Sequence, residues 1–431
     1  MRKPCVGVDR CIYRIRYLVH CNGVFVGLVG IVGGGVVGLC TGIELLEAGE
    51  RVAIIDDDSA ALAPSWGNAG HIAVEQVEPL ASMKTVRTMP GRLFMRGGAV
   101  GLPPLSLPAW LPFGLRLLAA ARPERFRSGC AALGPLLEGA MPAWESITAR
   151  IGAPELLRRD GHFVVWHGDD AASAGRASWE MARTGTAQVH GATTDERDML
   201  SALGNRRVAG AIRFSGSGQI ADLGALRGAL RTAFIARGGT IHEASAALGL
   251  NHERAEIAGL DADRVIVCAG VHSRGLMEAF GHKVPMIAER GYHIRADSSG
   301  WPEDLPPVVF EELSMIVTRF GPTVQAASFV EFSRIDAPAD PRKWERLERH
   351  VAQLGLPISG PFRRWMGCRP TLPDYLPAIG RSTRADNLYY AFGHQHLGLT
   401  LAPITARLVR SMVMGEQTEL PLAPFDLQRF A

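Results

Sequence analysis

Gly33-Gly34-Gly35-Val36-Val37-Gly38 is a complete GxGxxG turn, and the residues on either side of it decide what it means. Before it runs Gly27-Leu28-Val29-Gly30-Ile31-Val32, apolar and of the length of a buried strand; after it, Leu39 to Ala48 reads as a helix. A second apolar run, Arg51-Val52-Ala53-Ile54-Ile55, ends on Asp56, about twenty residues past the glycines. Strand, glycine turn, helix and strand in that order predict a βαβ unit that binds a dinucleotide. The glycines let backbone N–H groups approach a pyrophosphate at a helix N-terminus, and the acid accepts hydrogen bonds from an adenosine ribose. Gly33, Gly35, Val36, Val37 and Gly38 are expected at the cofactor, with Asp56 and its neighbour Asp57 at the ribose.

The same region invites a second reading, because Gly23 to Ile43 carries no charge and Arg14 and Arg16 lie upstream, as in a signal anchor or membrane span. Glycine argues against a span. Seven of the residues from Gly23 to Gly38 are Gly, placed where a nucleotide turn needs them and where a spanning helix would lose stability.

A chain of 431 residues, 47% hydrophobic and 21% charged, has room for two or more domains and a large core. A net charge near +3, with no Lys/Arg block interleaved with aromatic residues, gives no support for nucleic-acid binding. The seven cysteines are scattered and include no CxxC pair, so neither a disulfide framework nor a zinc site is expected. Free thiols in apolar runs such as Val265-Ile266-Val267-Cys268 suit a reducing, cytoplasmic setting.

After Asp56 comes Ser65-Trp66-Gly67-Asn68-Ala69-Gly70-His71, a small-residue loop where backbone can run close to a cofactor. The stretch from Leu102 to Arg122 joins proline-rich turns to an apolar helix with basic residues at its edges; a buried connection is favoured over a peripheral contact with the cytoplasmic membrane. Strand-like Gly161 to Trp166 precedes helical Ala171 to Arg183. A further αβ unit runs from Asp222 to Glu243, and Asp263 to Gly270 is a buried strand ending in an Ala-Gly turn. Short β-branched runs between Met286 and Phe332 predict a mostly antiparallel sheet, and Arg342 to Leu354 a polar-faced helix. A last strand, Leu388 to Phe392, enters the turn Gly393-His394-Gln395-His396-Leu397-Gly398-Leu399-Thr400, with Thr400 near the N-cap of a final helix. These shifts give an N-terminal extension at 1–23, nucleotide-domain segments at 24–95, 191–284 and 365–431, and substrate-domain segments at 96–190 and 285–364.

Taken in order, GIVGGGVVG, SWGNAGHI, VIVCAG, ERGYH, GCRPTLPDYLPAIG and YAFGHQHLGLTLAP resemble the FAD-dependent D-amino-acid oxidase superfamily, most closely its bacterial D-amino-acid dehydrogenase branch. The resemblance implies an α/β fold: a discontinuous Rossmann-like FAD-binding domain with an inserted α+β substrate domain. It also implies an oxidoreductase whose FAD takes a hydride from a D-amino acid Cα, giving an imino acid that water hydrolyses, with a quinone or other acceptor reoxidising the flavin. By the same resemblance Ser65, Asn68, Ala69 and Gly70 lie beside the isoalloxazine, Ala269 and Gly270 join the cofactor site, and Gly393, Leu397, Gly398, Leu399 and Thr400 meet the pyrimidine edge.

Arg369 would bind the substrate carboxylate, for which its planar fork is suited; the competing reading is an ion pair with Asp374 or Glu311. Tyr292 would complete carboxylate recognition or serve as a core tyrosine. His71 would tune the flavin or approach substrate, or be structural. His394 belongs to the same expected catalytic set, and the His394/His396 spacing, with no acidic or Cys partner in its turn, is not read as a metal site. Trp66, His71 and ERGYH resemble the branch acting on D-proline or cis-4-hydroxy-D-proline. Three further readings stay open at this stage: a glycine- or sarcosine-oxidase-like enzyme using O2, a 2-hydroxy-acid oxidoreductase, and a non-catalytic FAD electron carrier.

Overall fold

The computed structural model describes residues 27–58 and 62–431, so the expected extension at 1–23 lies outside the described residues. Leu28–Val32 is the centre of a six-stranded sheet. Arg51–Asp56 and Thr240–Glu243 extend it on one side, and Arg264–Val267, Leu388–Phe392 and Ala378–Arg381 on the other. The first five strands are parallel and the last is antiparallel to its neighbour. A central parallel strand is covered on both faces, which is why its sequence is apolar without alternation. Val29 and Ile31 are fully buried toward the helix side with Leu39, Ile43 and Leu226, while Val32 packs on the other side with Val265 and Val267. The uncharged stretch read as a rival membrane span is therefore, over its described part, strand Leu28–Val32 and helix Val36–Glu47.

The final helix, Gly398–Met414, forms with the preceding 3-10 turn a helical segment, Gln395–Met414, long and apolar enough by composition to cross a membrane, but 67% of its most apolar window is buried in the fold. It begins two residues before Thr400, with Leu397 at the N-cap. Its buried residues join those of helices Val36–Glu47 and Ala140–Arg150 in one apolar core.

The second sheet runs Arg363–Thr371, Ile287–Asp297, Thr323–Ser333, Met315–Phe320, Val308–Phe310, His162–Trp166, Gly210–Ser215 and Gln188–Gly191. Its pairings are antiparallel except those of Val308–Phe310 with His162–Trp166 and of the short Val100–Gly101 with Thr323–Ser333. Helix Pro341–Leu354 covers one face through Leu347, Val351 and Leu354. Two domain limits shift from those expected. Gln188–Gly191 and Gly210–Ser215 extend this sheet beyond residue 190, and Arg363–Thr371 is its edge strand rather than the start of the last nucleotide segment. Apolar alternation alone does not say which sheet a short strand joins.

The segment 102–122 is also corrected. It forms a 3-10 turn at Pro104–Ser106 and helix Leu107–Ala120, which buries Phe113, Leu117 and Ala120 but exposes Leu105, Leu107, Leu111, Leu115 and Leu118.

Candidate active site

The GxGxxG turn is built by close approach. Gly33 holds φ +107°, donates its N–H to Ile55 O at 2.9 Å, and a Cβ there would stand 2.5 Å from Cys268 O. A Cβ on Gly38 would lie 1.9 Å from Gly33 O, so only glycine lets helix and turn pack. Helix Val36–Glu47 has no side-chain cap and no acid in its first turn, which leaves its positive end to an anion. The Ser65 hydroxyl accepts from Val36 N–H at 3.2 Å, so its own proton is available to a phosphate oxygen. Asp56 ends the second strand on the same cavity. Burial raises its carboxyl pKa, and Gly34 N–H opposes that rise.

A cavity of about 1500 Å3 runs from Asp56 and Asp57 past this turn to the second sheet. That exceeds the roughly 300–1,000 Å3 typical of one small ligand and suits a dinucleotide with a substrate beyond it. Gly33, Gly35, Val36 and Val37 line it, as do Ser65, Asn68 and Ala69. Ala269, Gly270, Gly393, Gly398 and Leu399 line it from the other side. Four expected cofactor residues are not in its wall. Gly38 packs on Gly33, and Gly70 takes φ +77° against Phe320. Leu397 is buried in the core, and the Thr400 hydroxyl is taken up by Ala73 N–H at 3.0 Å. These residues shape the turns from behind.

The Ser65–Gly70 loop is held by the substrate sheet. Trp66, Gly67 and Asn68 give their carbonyls to Arg295 (3.3 Å), His293 Nδ1 (3.1 Å) and Gln325 (3.0 Å). His293 stacks on Trp365 at 4.7 Å. Anchoring a cofactor loop through its carbonyls keeps its remaining groups toward the cavity.

Strand Ile287–Asp297 has two faces with two tasks. Glu289, Gly291 and His293 share one with Arg369, which pairs directly with Glu289 in the adjacent strand. Glu289, 1% exposed, accepts from Arg369 Nη1 at 3.2 Å, Thr371 Oγ1 at 3.1 Å and Tyr375 OH at 3.1 Å. Arg369 Nη1 also donates to Phe329 O at 3.3 Å, where a bulge turns that residue to φ +72°. A Cβ on Gly291 would sit 2.4 Å from Arg369 Nη2, so the glycine of ERGYH makes room for the guanidinium. Neither Asp374 nor Glu311 pairs with Arg369: Asp374 binds Arg429 at 2.7 Å and Glu311 accepts from Trp179 Nε1 at 3.1 Å.

Tyr292 corrects an expectation. It borders the cavity, but its hydroxyl is on the opposite face, donating to Glu331 at 3.0 Å and accepting from Arg290 at 3.0 Å and Asp340 N–H at 3.2 Å. A phenol saturated there is not turned to a substrate carboxylate. Tyr292→Phe is expected to cost about 1–2 kcal/mol of stability, the cost of unsatisfied buried partners, with KM within twofold of wild type; a large KM rise in steady-state kinetics would restore Tyr292 to the substrate site.

His394 also borders the cavity, but its imidazole is engaged behind the wall. Its ring is bonded to Thr405 Oγ1 at 3.1 Å inside the core, and burial lowers its pKa to about 3. His293 is lowered to about 3 chiefly by burial, with Arg295 adding to the shift. A histidine depressed from 6.5 takes up its proton more readily when unfolded, so its contribution is full above pH 6.5 and is lost as pH falls from there toward 3. Each such group is expected to lower stability by up to about 1.4 kcal/mol per pH unit across that window. Chemical denaturation between pH 7.5 and 4.5 checks this; no loss below pH 6.5 would contradict it.

His71 lies at the cavity, bonded to Glu75 Oε1 at 3.0 Å. His396, left aside in the sequence, also borders the cavity. It is bonded to Gln76, and burial lowers its pKa to about 4, with Glu289 and Arg369 among the charges acting on it. Glu289, Gln76 and Tyr375 were likewise not singled out. The signal for Glu289 is its place at the head of ERGYH.

Residues 29–412 match the family described as FAD dependent oxidoreductase, abbreviated DAO. The chain belongs to that family. It is 31% identical over 421 residues to a D-amino-acid oxidase of Bradyrhizobium diazoefficiens, covering 93% of this chain and 98% of the relative. A D-amino acid dehydrogenase of Cereibacter sphaeroides is 26% identical, with 93% and 95% covered. Among solved structures, glycine oxidase from Geobacillus kaustophilus superposes with TM-score 0.69 at 20% identity, over 94% of this chain and 99% of that one. The cofactor is therefore FAD, and the glycine turn, the uncapped helix and Asp56 fit its dinucleotide.

Proposed function

We propose that the chain oxidises a D-amino acid, with D-proline or cis-4-hydroxy-D-proline as substrate, and passes the electrons to a quinone-type acceptor. The observation that carries this reading is Arg369, held beside the cavity by Glu289 and Phe329 O, with room made by Gly291. Bound FAD supplies the hydride acceptor. The protein's part is to orient the substrate carboxylate with Arg369 and exclude water, since positioning supplies much of the barrier reduction in such a reaction. The D-amino-acid relatives support the substrate class. Anaerobic mixing with D-proline, cis-4-hydroxy-D-proline, D-alanine, sarcosine and a 2-hydroxy acid tests it: bleaching of the flavin absorbance by the cyclic D-amino acids is expected, and bleaching by none of the five would sink it. Reoxidation by a soluble quinone analogue but slowly by O2 is the matching expectation for the acceptor.

The exposed leucines of helix Leu107–Ala120 support a peripheral contact with the cytoplasmic membrane, where a quinone resides. Exposed Arg116 lies on that helix, and Arg122, Arg125 and Arg127 lie just beyond its end. An apolar face rimmed by arginines suits anionic lipid. Leu111→Glu with Leu115→Glu is expected to lower flotation with anionic vesicles at least tenfold while solution turnover is kept; equal flotation of the two proteins would remove this contact.

A further inference from the structure

His71, Glu75 and His162 come together although 87 residues separate the last two. Their donor atoms all lie within 4.8 Å of one another. His71 follows the flavin loop, Glu75 comes four residues later, and His162 opens a strand of the substrate sheet. The side chains of His71 and Glu75 are 10% and 3% exposed, and His162 is 3% exposed.

Glu75 is the unusual member. Its carboxylate is enclosed between two imidazoles, 3% exposed, with one donor atom of each residue inside 4.8 Å. Only Oε1 is engaged, by His71 Nε2; Glu75 Oε2 and His71 Nδ1 have no hydrogen-bond partner among the described residues. An anion so placed calls for more positive charge than one imidazole edge supplies. His162 is set up as a ligand. Its Nδ1 lies 3.1 Å from Ser217 Oγ and its ring stacks on Phe214 at 4.3 Å, which fixes the ring plane and leaves Nε2 free to ligate.

We infer that His71, Glu75 and His162 bind a divalent transition metal of borderline softness, such as Zn2+. Two imidazoles and one carboxylate are the donor set for such ions and a poor one for Mg2+ or Ca2+. A metal about 2.0–2.2 Å from each donor in tetrahedral geometry needs them roughly 3.5 Å apart, so adjustments totalling about an ångström, shared among the three side chains, complete the set. Three protein ligands leave a fourth position, and two of the three, His71 and Glu75, border the cavity.

The test needs no substrate and uses the holoenzyme. After chelator treatment, the protein is titrated with Zn2+ against a fluorescent indicator, and with Co2+ in the visible spectrum beyond the flavin bands. One equivalent is expected to bind. Glu75→Gln and His162→Asn should each weaken it at least tenfold, and Ser217→Ala by about tenfold, as loss of a ligand-orienting partner does. His190→Asn, at an exposed histidine, should change nothing. Absence of stoichiometric uptake, or uptake that survives both ligand substitutions, overturns the site. If a variant fails to fold, X-ray absorption at the zinc edge of the wild-type protein decides: a first shell without two imidazoles overturns it as well.

Discussion

Replacing Arg369 by lysine is expected to lower kcat/KM about a hundredfold, roughly 2.7 kcal/mol of transition-state binding, while FAD stays bound. Charge is conserved in this change, so the loss measures geometry. Arg369 Nη1 is committed to Glu289 Oε1 and Phe329 O, which fixes the guanidinium plane; under the proposed function its other edge would meet the substrate carboxylate with two parallel donors. An ammonium is a single point and cannot hold Glu289 and a substrate carboxylate in that geometry at once. Truncating a buried, hydrogen-bonded charge costs about 2–5 kcal/mol, but the Arg369 side chain is 27% exposed, which puts the loss toward the lower end. Arg369→Ala should lose about tenfold more, because Glu289, 1% exposed, then loses its cationic partner and keeps only Thr371 and Tyr375 as donors. Steady-state kinetics beside the flavin absorbance of the purified variants separate the outcomes. Loss of flavin would make Arg369 part of the cofactor site instead, and unchanged kcat/KM would remove it from both.

Local chemistry made the nucleotide half legible from sequence. Gly38 is required by a backbone contact with Gly33 within one βαβ unit, so their spacing encodes the contact itself. The RP loop and the Gly393 turn were legible through resemblance. Side-chain direction was less so. Tyr292 lies one position from Gly291 and three from Glu289, and in a strand that odd spacing turns its hydroxyl to the far face. His394 and His396 sit two apart, yet one is bonded to Thr405 in the core and the other to Gln76 at the cavity, because a 3-10 turn intervenes. Pairs that depend on distant strands, such as Arg369 with Glu289 or His71 with His162, leave no spacing to read.

Glu331→Gln is expected to destabilise the protein by about 3–5 kcal/mol, the range for breaking a buried ion pair from one side. Glu331, 2% exposed, accepts from the Tyr292 hydroxyl at 3.0 Å and pairs with Arg290 Nε at 3.1 Å and with Lys343 Nζ; Arg290 and Lys343 are each 1% exposed. Glutamine keeps the shape and removes the charge. Two buried cations would then face one half-buried anion, Asp340, which Lys343 already contacts at 3.0 Å. The network clamps strands Ile287–Asp297 and Thr323–Ser333 to helix Pro341–Leu354, on the reverse of the face that carries Glu289. Loosening it should therefore reach the cavity indirectly, as a lower unfolding midpoint with a KM change smaller than that of Arg369→Lys. The double variant Glu331→Gln with Lys343→Met leaves Arg290 as the one unpaired buried cation, with Asp340 still held by Arg342, and should recover at least half of the lost stability. Urea denaturation of the three proteins checks the cycle; a single variant as stable as wild type, or a double variant no better than the single, would mean that Glu331 is not the charge the two cations depend on.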